Sequence, residues 1–356
     1  MKKSLLACAL LALFPACARA QSDSVQLYGR LNLALESVDD GRASTLRESN
    51  YRSVFGVRGS EALGGSLRVI FQVEGTLAPD TGSGALAARD TRVGLVGDWG
   101  TLFAGNWTTP YNAATSSLDP FYPTTAGYMS IMGNGSAPSA GNLDDTASFD
   151  RRQCNSLHYW TPVWRGLTLR VAHGFSEERP PGGAKPALYS GALQYEHGPL
   201  YLTLAHERHH DYQGPGGTDR ASKIGAAWQF GTVRLAVAGE RLEYQTATGT
   251  LRRDAWFAAL SRQLGAHALR MAVAKAGDGK GSARERIGFI AAGPDTGALH
   301  ATVGYEYALS RRTAVFAFHS RIHNEERGTV DFAINGLEPG EGAQLRGTAL
   351  GLRHAF

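Results

Sequence analysis

Only three cysteines occur in the 356 residues, and two of them, Cys8 and Cys17, fall within the first twenty. Those twenty residues read as a secretory leader. Met1-Lys-Lys-Ser supplies a basic start, Leu5 to Phe14 an apolar run, and Ala18-Arg-Ala20 a cleavage signal before Gln21. Phe14-Pro-Ala-Cys17 loosely resembles a lipidation signal, but Phe and Pro fit that signal poorly. A leader over 1–20 leaves Cys154 alone, so the exported chain has no disulfide and must be held by its secondary structure. Long apolar runs are also missing: Leu5 to Phe14 is shorter than the roughly 20 residues a spanning helix needs, and nothing longer follows. The formal charge of +4 falls to about +1 when Lys2, Lys3 and Arg19 leave with the leader, so nucleic acid is not an implied partner. Proline is scarce outside loops and no linker interrupts residues 21–356, which read as one domain.

What remains is glycine, dispersed aromatic residues and alternation. Val25, Leu27, Leu31, Leu33 and Leu35 alternate with Gln26, Tyr28, Arg30, Asn32 and Glu36, giving one oily and one wet face. Leu67, Val69, Phe71 and Val73 likewise oppose Arg68, Gln72 and Glu74. A dry core would not accept those charges unpaired, so the second face is wet. The last segment, 344–356, alternates up to Phe356, as expected where a sheet closes on itself.

The same reading places strands near 25–38, 53–60, 66–77, 89–97, 100–107, 154–161, 166–175, 187–196, 200–209, 220–230, 232–244, 252–263, 266–276, 298–309, 312–323 and 344–356. Sixteen antiparallel strands, joined alternately by tight turns and longer loops, predict an all-β, transmembrane β-barrel of the bacterial outer membrane. Tight turns such as Gly198-Pro199 and Leu264-Gly265 face the periplasm in this reading. The loops around 40–50, 78–88, 176–186, 209–219, 245–251, 277–297 and 324–343 face outward.

One connection is far too long for an ordinary loop. Residues 108–153 lack alternation and carry Tyr111, Phe121, Tyr122, Tyr128, Met129 and Met132 beside Asp119, Asp144, Asp145 and Asp150. Such an aromatic segment must pack on something. Inside a wide barrel that surface is the lumen wall, so the loop is expected to narrow the pore.

Other candidate chemistry is weaker. His206, His209, His210 and Asp211 have ligand types for a transition metal, but a histidine-rich loop mouth is more often solvated, and no metal or cofactor is expected. Gly277-Asp-Gly-Lys-Gly-Ser282 lacks the phosphate-loop spacing. Cys154, with Arg151 and Arg152 adjacent, has no partner histidine in evidence and reads as a free thiol. Ser156 with His158, and Ser320 with His319, supply nucleophile and base types without a third acid, so no enzyme is expected.

Several stretches resemble the general porins of β-proteobacterial outer membranes: Gln21-Ser-Asp-Ser-Val-Gln-Leu-Tyr-Gly29, Val57-Arg-Gly-Ser-Glu-Ala-Leu-Gly-Gly65, Arg89-Asp-Thr-Arg-Val-Gly-Leu-Val-Gly97, Asn155-Ser-Leu-His-Tyr-Trp-Thr-Pro162 and Gly351-Leu-Arg-His-Ala-Phe356. The likeness runs in order along the whole mature chain. It implies a homotrimer in outer-membrane lipid and lipopolysaccharide, a third loop folded into the lumen, and passive diffusion of small hydrophilic solutes and ions. The alternative is a solute-specific channel of the same fold. It also implies that Phe356 is read by the outer-membrane assembly machinery, and that wall arginines line the constriction. Arg89 and Arg152 match such positions. Val54 instead stands where the family has an arginine, which Arg52 compensates in part. Asn106, Trp107, His158 and Trp160 depart as well, which predicts a channel less positive than in many relatives. The expected arrangement is transverse, with Arg30, Arg58, Arg89, Arg92 and Arg152 on the wall facing Asp119, Asp144 or Asp145 on the loop. So many like charges oppose folding, and their place in a lumen points to function.

Overall fold

The computed structural model describes residues 24–356 apart from 179 and 181. The leader expected over 1–20 and the start at Gln21 lie outside the described residues. Sixteen long strands form the wall: β1 (Ser24–Asp39), β2 (Ser53–Gly64), β3 (Leu67–Ala78), β4 (Thr91–Gly97), β5 (Gly100–Thr108), β6 (Arg151–Trp160), β7 (Leu167–Gly174) and β8 (Ala187–His197) in the first half. The second half holds β9 (Leu200–His210), β10 (Thr218–Phe230), β11 (Val233–Gln245), β12 (Thr250–Leu264), β13 (His267–Ala276), β14 (Ala298–Ala308), β15 (Thr313–Asn324) and β16 (Gln344–Ala355). Each pairs antiparallel with its neighbours, and β16 pairs with β1 to close the barrel. Closure removes every sheet edge, as a spanning sheet must do where lipid offers no hydrogen bonds.

The seam sets the oily stripes of the two chain ends side by side, with Leu33 opposite Leu352 and Leu35 opposite Leu350. The last residue completes it. The Phe356 N–H donates to the Gly29 carbonyl at 3.0 Å, the Phe356 carbonyl accepts from the Gly29 N–H at 3.0 Å, and the Phe356 ring fills the space a Gly29 side chain would take.

Outside, large apolar side chains such as Leu27, Val93, Leu204, Ile224 and Met271 stand exposed around the barrel. Trp99, Trp164, Trp228, Phe230, Tyr305, Tyr307 and Phe356 are exposed near the short turns, giving one interfacial girdle. Two-residue turns begin at Gly198, Gly231 and Gly265, whose φ of 57, 56 and 61° is the left-handed geometry that glycine adopts without a Cβ penalty.

Several expected loops are partly strand: Ser83–Ala85 pairs with Thr76–Ala78, Lys280–Gly281 with Leu251 and Arg252, and Ala137–Ala140 with the start of β6. Residues Ser44–Asn50 pair with the outer end of β1, from Leu33 opposite Asn50 to Asp39 opposite Ser44, so the first hairpin turns over residues 40–43. Between that strand and β2 the chain steps out of register at Tyr51 and Arg52. Asn32 pins the step: its backbone N–H donates to Ser53 Oγ at 2.9 Å and its side chain donates to the Tyr51 carbonyl at 3.2 Å. Tyr51 packs against Phe316 and Phe318, and Arg52 takes a φ of 55°. No described helix is long and apolar enough to cross a membrane, which says nothing against crossing by strands.

Candidate functional site: a constricted lumen

The lumen has two unlike walls. On strands β10 to β14 many inward positions are small, among them Gly225, Ala227, Ala236, Ala238, Ala255, Ala259, Ala274 and Gly304, interspersed with Lys223, Glu240, Arg253 and Phe257. The long loop lies against them. A Cβ on Gly225 would meet Leu118 at 2.7 Å, and one on Gly304 would meet Phe121 at 2.6 Å. The loop opens with helix α1 (Pro110–Ser116), whose N-cap Thr109 accepts the Asn112 N–H at 3.3 Å.

Buried polar contacts fasten the loop to this small-residue wall. Tyr111 Oη donates to Glu240 Oε1 at 2.6 Å, and the Gly133 N–H donates to Glu240 Oε2 at 2.7 Å. Lys223 Nζ reaches Asp150 at 2.5 Å and Glu240 at 3.4 Å, and lies 4.2 Å from the centre of the Tyr111 ring. Arg253 donates to the Ile131 carbonyl at 2.5 Å, and Tyr201 to the Ala114 carbonyl at 2.6 Å. Tyr128 packs on Phe257 with ring centres 5.1 Å apart.

The opposite wall is left open. A passage with about 970 Å³ of empty space runs between Pro110, Ala113, Ser116, Tyr122 and Pro123 of the loop and Arg30, Arg89, Asp90, Trp107, Thr108, Arg152, Trp160 and Arg170 of the barrel. Four arginines therefore face one aspartate. That aspartate is engaged, since Arg152 Nε lies 2.6 Å from Asp90 Oδ1 and the Thr108 hydroxyl and N–H each donate to the same oxygen at 3.0 Å. Arg89 pairs with Glu74 at 2.9 Å, and Tyr28 donates to the other Glu74 oxygen at 3.0 Å. A second gap, sharing Arg30, Tyr122 and Pro123, adds Arg270 and Arg353, which both reach Glu306, at 3.1 and 2.9 Å. Open space, fixed cations and a narrowing loop make this a route for polar solutes.

The comparisons agree with that geometry. The family model described as Gram-negative porin matches residues 7–327. The chain belongs to the Gram-negative porin family. It is 29% identical to outer membrane porin protein 32 of Delftia acidovorans, with all of both chains covered. Its fold superposes on the anion-selective porin from Comamonas acidovorans with a TM-score of 0.82 at 24% identity, covering 94% of this chain and 100% of that one. It superposes on Vibrio cholerae OmpT in its trimer form with a TM-score of 0.68 at 16% identity, covering 94% and 100%. The protein is an outer-membrane channel for passive diffusion, and the porin family and fold are non-enzymatic.

Of the arginines expected at the constriction of this porin, Arg30, Arg89 and Arg152 line the passage. Arg92 lies behind it, over Trp107 at 4.1 Å, Phe103 at 4.8 Å and Trp160 at 5.4 Å. Arg58 does not join them: it is exposed near the turn end of β2, donates to Gln26 at 3.0 Å and covers Tyr28.

The expected carboxylates opposite these arginines are elsewhere. Asp119 is buried and accepts the Phe121 and Tyr128 amides at 2.9 and 2.8 Å, so it shapes the loop from within. Burial pushes its carboxyl up to about 7, against the pull of those two amides. Asp144 and Asp145 are exposed, and it is their backbone carbonyls, with that of Gly141, that Arg151 holds. The transverse field is thus replaced by a cationic wall facing an uncharged loop edge, because the loop's buried acids Asp119 and Asp150 are turned inward and toward Lys223.

Sequence reasoning did not single out Asp90, Arg170, Arg270 or Arg353. A usable signal existed. Many inward positions of β10 to β14 are alanine or glycine, which leaves room on that wall for a loop to lie. Arg52, weighed as partial compensation for Val54, projects from the register step and hydrogen-bonds Ser136 of the loop.

The remaining candidates separate in space. His209 is stacked between Phe149 and Tyr212, 4.2 Å from each ring centre, and meets Glu207 at 2.9 Å, while strand alternation turns His206 to the outer face. Ser156 Oγ lies 3.0 Å from His158 Nε2, but both are buried, and Nδ1 of that imidazole has no hydrogen-bond partner among the described residues. His319 faces outward to Thr348. Cys154 is free and touches Ser139 at 3.5 Å.

Proposed function

We propose that this porin favours small anions, and that Arg30, Arg89, Arg152 and Arg170 carry the preference. The observation behind this reading is the composition of the passage: four guanidinium groups, one carboxylate already paired, and a neutral loop edge opposite. Fixed charge of one sign at a narrow, low-dielectric throat raises the local concentration of the counter-ion and lowers its entry barrier. The anion-selective porin of Comamonas acidovorans shares the fold, which supports the reading. The departures at Val54, Asn106 and His158 reduce the positive charge, yet Arg52, Arg170, Arg270 and Arg353 restore it from other strands.

In a potassium chloride gradient across a planar bilayer, the reversal potential should report chloride preference. Arg89→Ala with Arg152→Ala should weaken or invert it, because the change removes two cations and frees Glu74 and Asp90. A wild-type preference for potassium, or an unchanged double variant, would refute the assignment.

The same reading takes the protein as a homotrimer, exported by cleavage before Gln21 and inserted by assembly machinery that recognises Phe356. Strands β4 and β7 have only seven and eight residues, below the roughly 9–11 that cross a bilayer. Their outward Val93, Leu95, Leu169 and Val171 suit cover by neighbouring copies better than by lipid and lipopolysaccharide, which would surround the longer strands. OmpT has been seen as a trimer on this fold. Stepwise conductance in threes would support it, and single steps from a monomeric species would not.

A further inference from the structure

The passage wall is aromatic as well as cationic. Trp107 and Trp160 are half-buried and line it beside the arginines, and Tyr122 and Pro123 face it from the loop. The indoles stand 6.1 Å apart at 63°, each edge-on to Phe103, so the ladder is rigid. Guanidinium groups brace it: Arg92 lies over Trp107 at 4.1 Å and Arg170 over Trp160 at 4.8 Å. Nε and Nη1 of Arg92 and Nε of Arg170 are buried without a hydrogen-bond partner among the described residues. Simple ion diffusion requires none of this, since an aromatic surface in a water channel displaces water without attracting chloride.

We propose that this wall is a binding subsite for aromatic carboxylates, resting on the anion preference argued above. The flat ring lies between the Trp107–Trp160 surface and the Tyr122–Pro123 edge of the loop, and the carboxylate meets the guanidinium of Arg30 or Arg170. Each half of the ligand matches one half of the wall. Aromatic surfaces reward a second flat ring in offset or edge-on geometry, and a planar guanidinium fork matches a carboxylate. A neutral sugar would use the rings and leave the cations unused; acetate would do the reverse.

The test compares benzoate, acetate and glucose as blockers of chloride current through the full-length protein in planar bilayers. Benzoate should block about tenfold more tightly than acetate, the size of effect one favourable aromatic contact supplies. Trp107→Ala with Trp160→Ala should bring benzoate to the acetate level, and Trp→Phe at both positions should keep most of the difference. Equal block by benzoate and acetate in the wild type would overturn the subsite, as would glucose blocking as well as benzoate. Both comparisons use the wild type, so they stand even where the alanine variant fails to insert. A potassium-preferring wild type would instead overturn the anion reading on which the subsite rests.

Discussion

Lys223→Met tests whether the loop is held against its wall by charge. Lys223 is the only cation within 4 Å of Asp150 and Glu240 among the described residues, at 2.5 and 3.4 Å, and all three side chains are fully buried. Glu240 in turn receives Tyr111 and the Gly133 amide from the loop. Methionine keeps the length and removes the charge, leaving two carboxylates without their counter-ion. Removing one partner of a buried pair costs about 3–5 kcal/mol. The barrel does not bear that cost, because residue 223 keeps its backbone pairing to Ala205 and Glu240. The loss falls on loop attachment, whose detached population should rise roughly a hundredfold or more. Planar-bilayer records should then show excess current noise and closures, and limited proteolysis should cut within residues 109–150. Adding Asp150→Asn and Glu240→Gln should restore quiet channels, since neutral isosteres need no counter-ion. Quiet, protease-resistant Lys223→Met channels, or no recovery in the triple variant, would refute the charge-anchor reasoning.

Arg58→Ala should leave the reversal potential within error of wild type, since Arg58 does not line the passage; a shift comparable to that of Arg89→Ala would place it in the conducting path. The Asp119 carboxyl is raised by burial above its unfolded value near 3.8, so the folded turn holds a proton that the unfolded one gives up. The turn it caps is therefore most stable at low pH and weakens as pH rises from about 4 through 7. The protection of the Phe121 and Tyr128 amides, taken relative to the intrinsic base-catalysed exchange at each pH, should fall over that window, and Asp119→Asn should flatten the response. Phe356→Ala removes the ring that fills the space beside Gly29 at the seam, and should lower the yield of inserted barrels while those that insert conduct normally. Normal yield would separate the terminal ring from assembly.

The barrel was legible in the sequence because its signal is local. A strand between lipid and water must alternate at every second residue, and that pattern survives without knowledge of any partner. All sixteen expected segments are strands, including the seam that Leu33, Leu35, Leu350 and Leu352 share. The paired stretches inside expected loops, Ser44–Asn50, Ser83–Ala85, Ala137–Ala140 and Lys280–Gly281, each join the ladder of a neighbouring strand, a property of register and not of composition. The long loop was also evident from its length and its aromatic content.

Which wall that loop covers was not. Tyr111 and Glu240 lie 129 residues apart, and Asp150 and Lys223 lie 73 apart, so the buried polar network that chooses the wall exists only after the barrel has closed. From sequence, a carboxylate on the loop and an arginine on a strand look like opposing electrodes. In the folded chain Asp119 caps its own loop and Asp150 is spent on Lys223, and the arginines face a neutral edge. Alternation determined which residues see water; only the packing of the loop decided which of those see the solute.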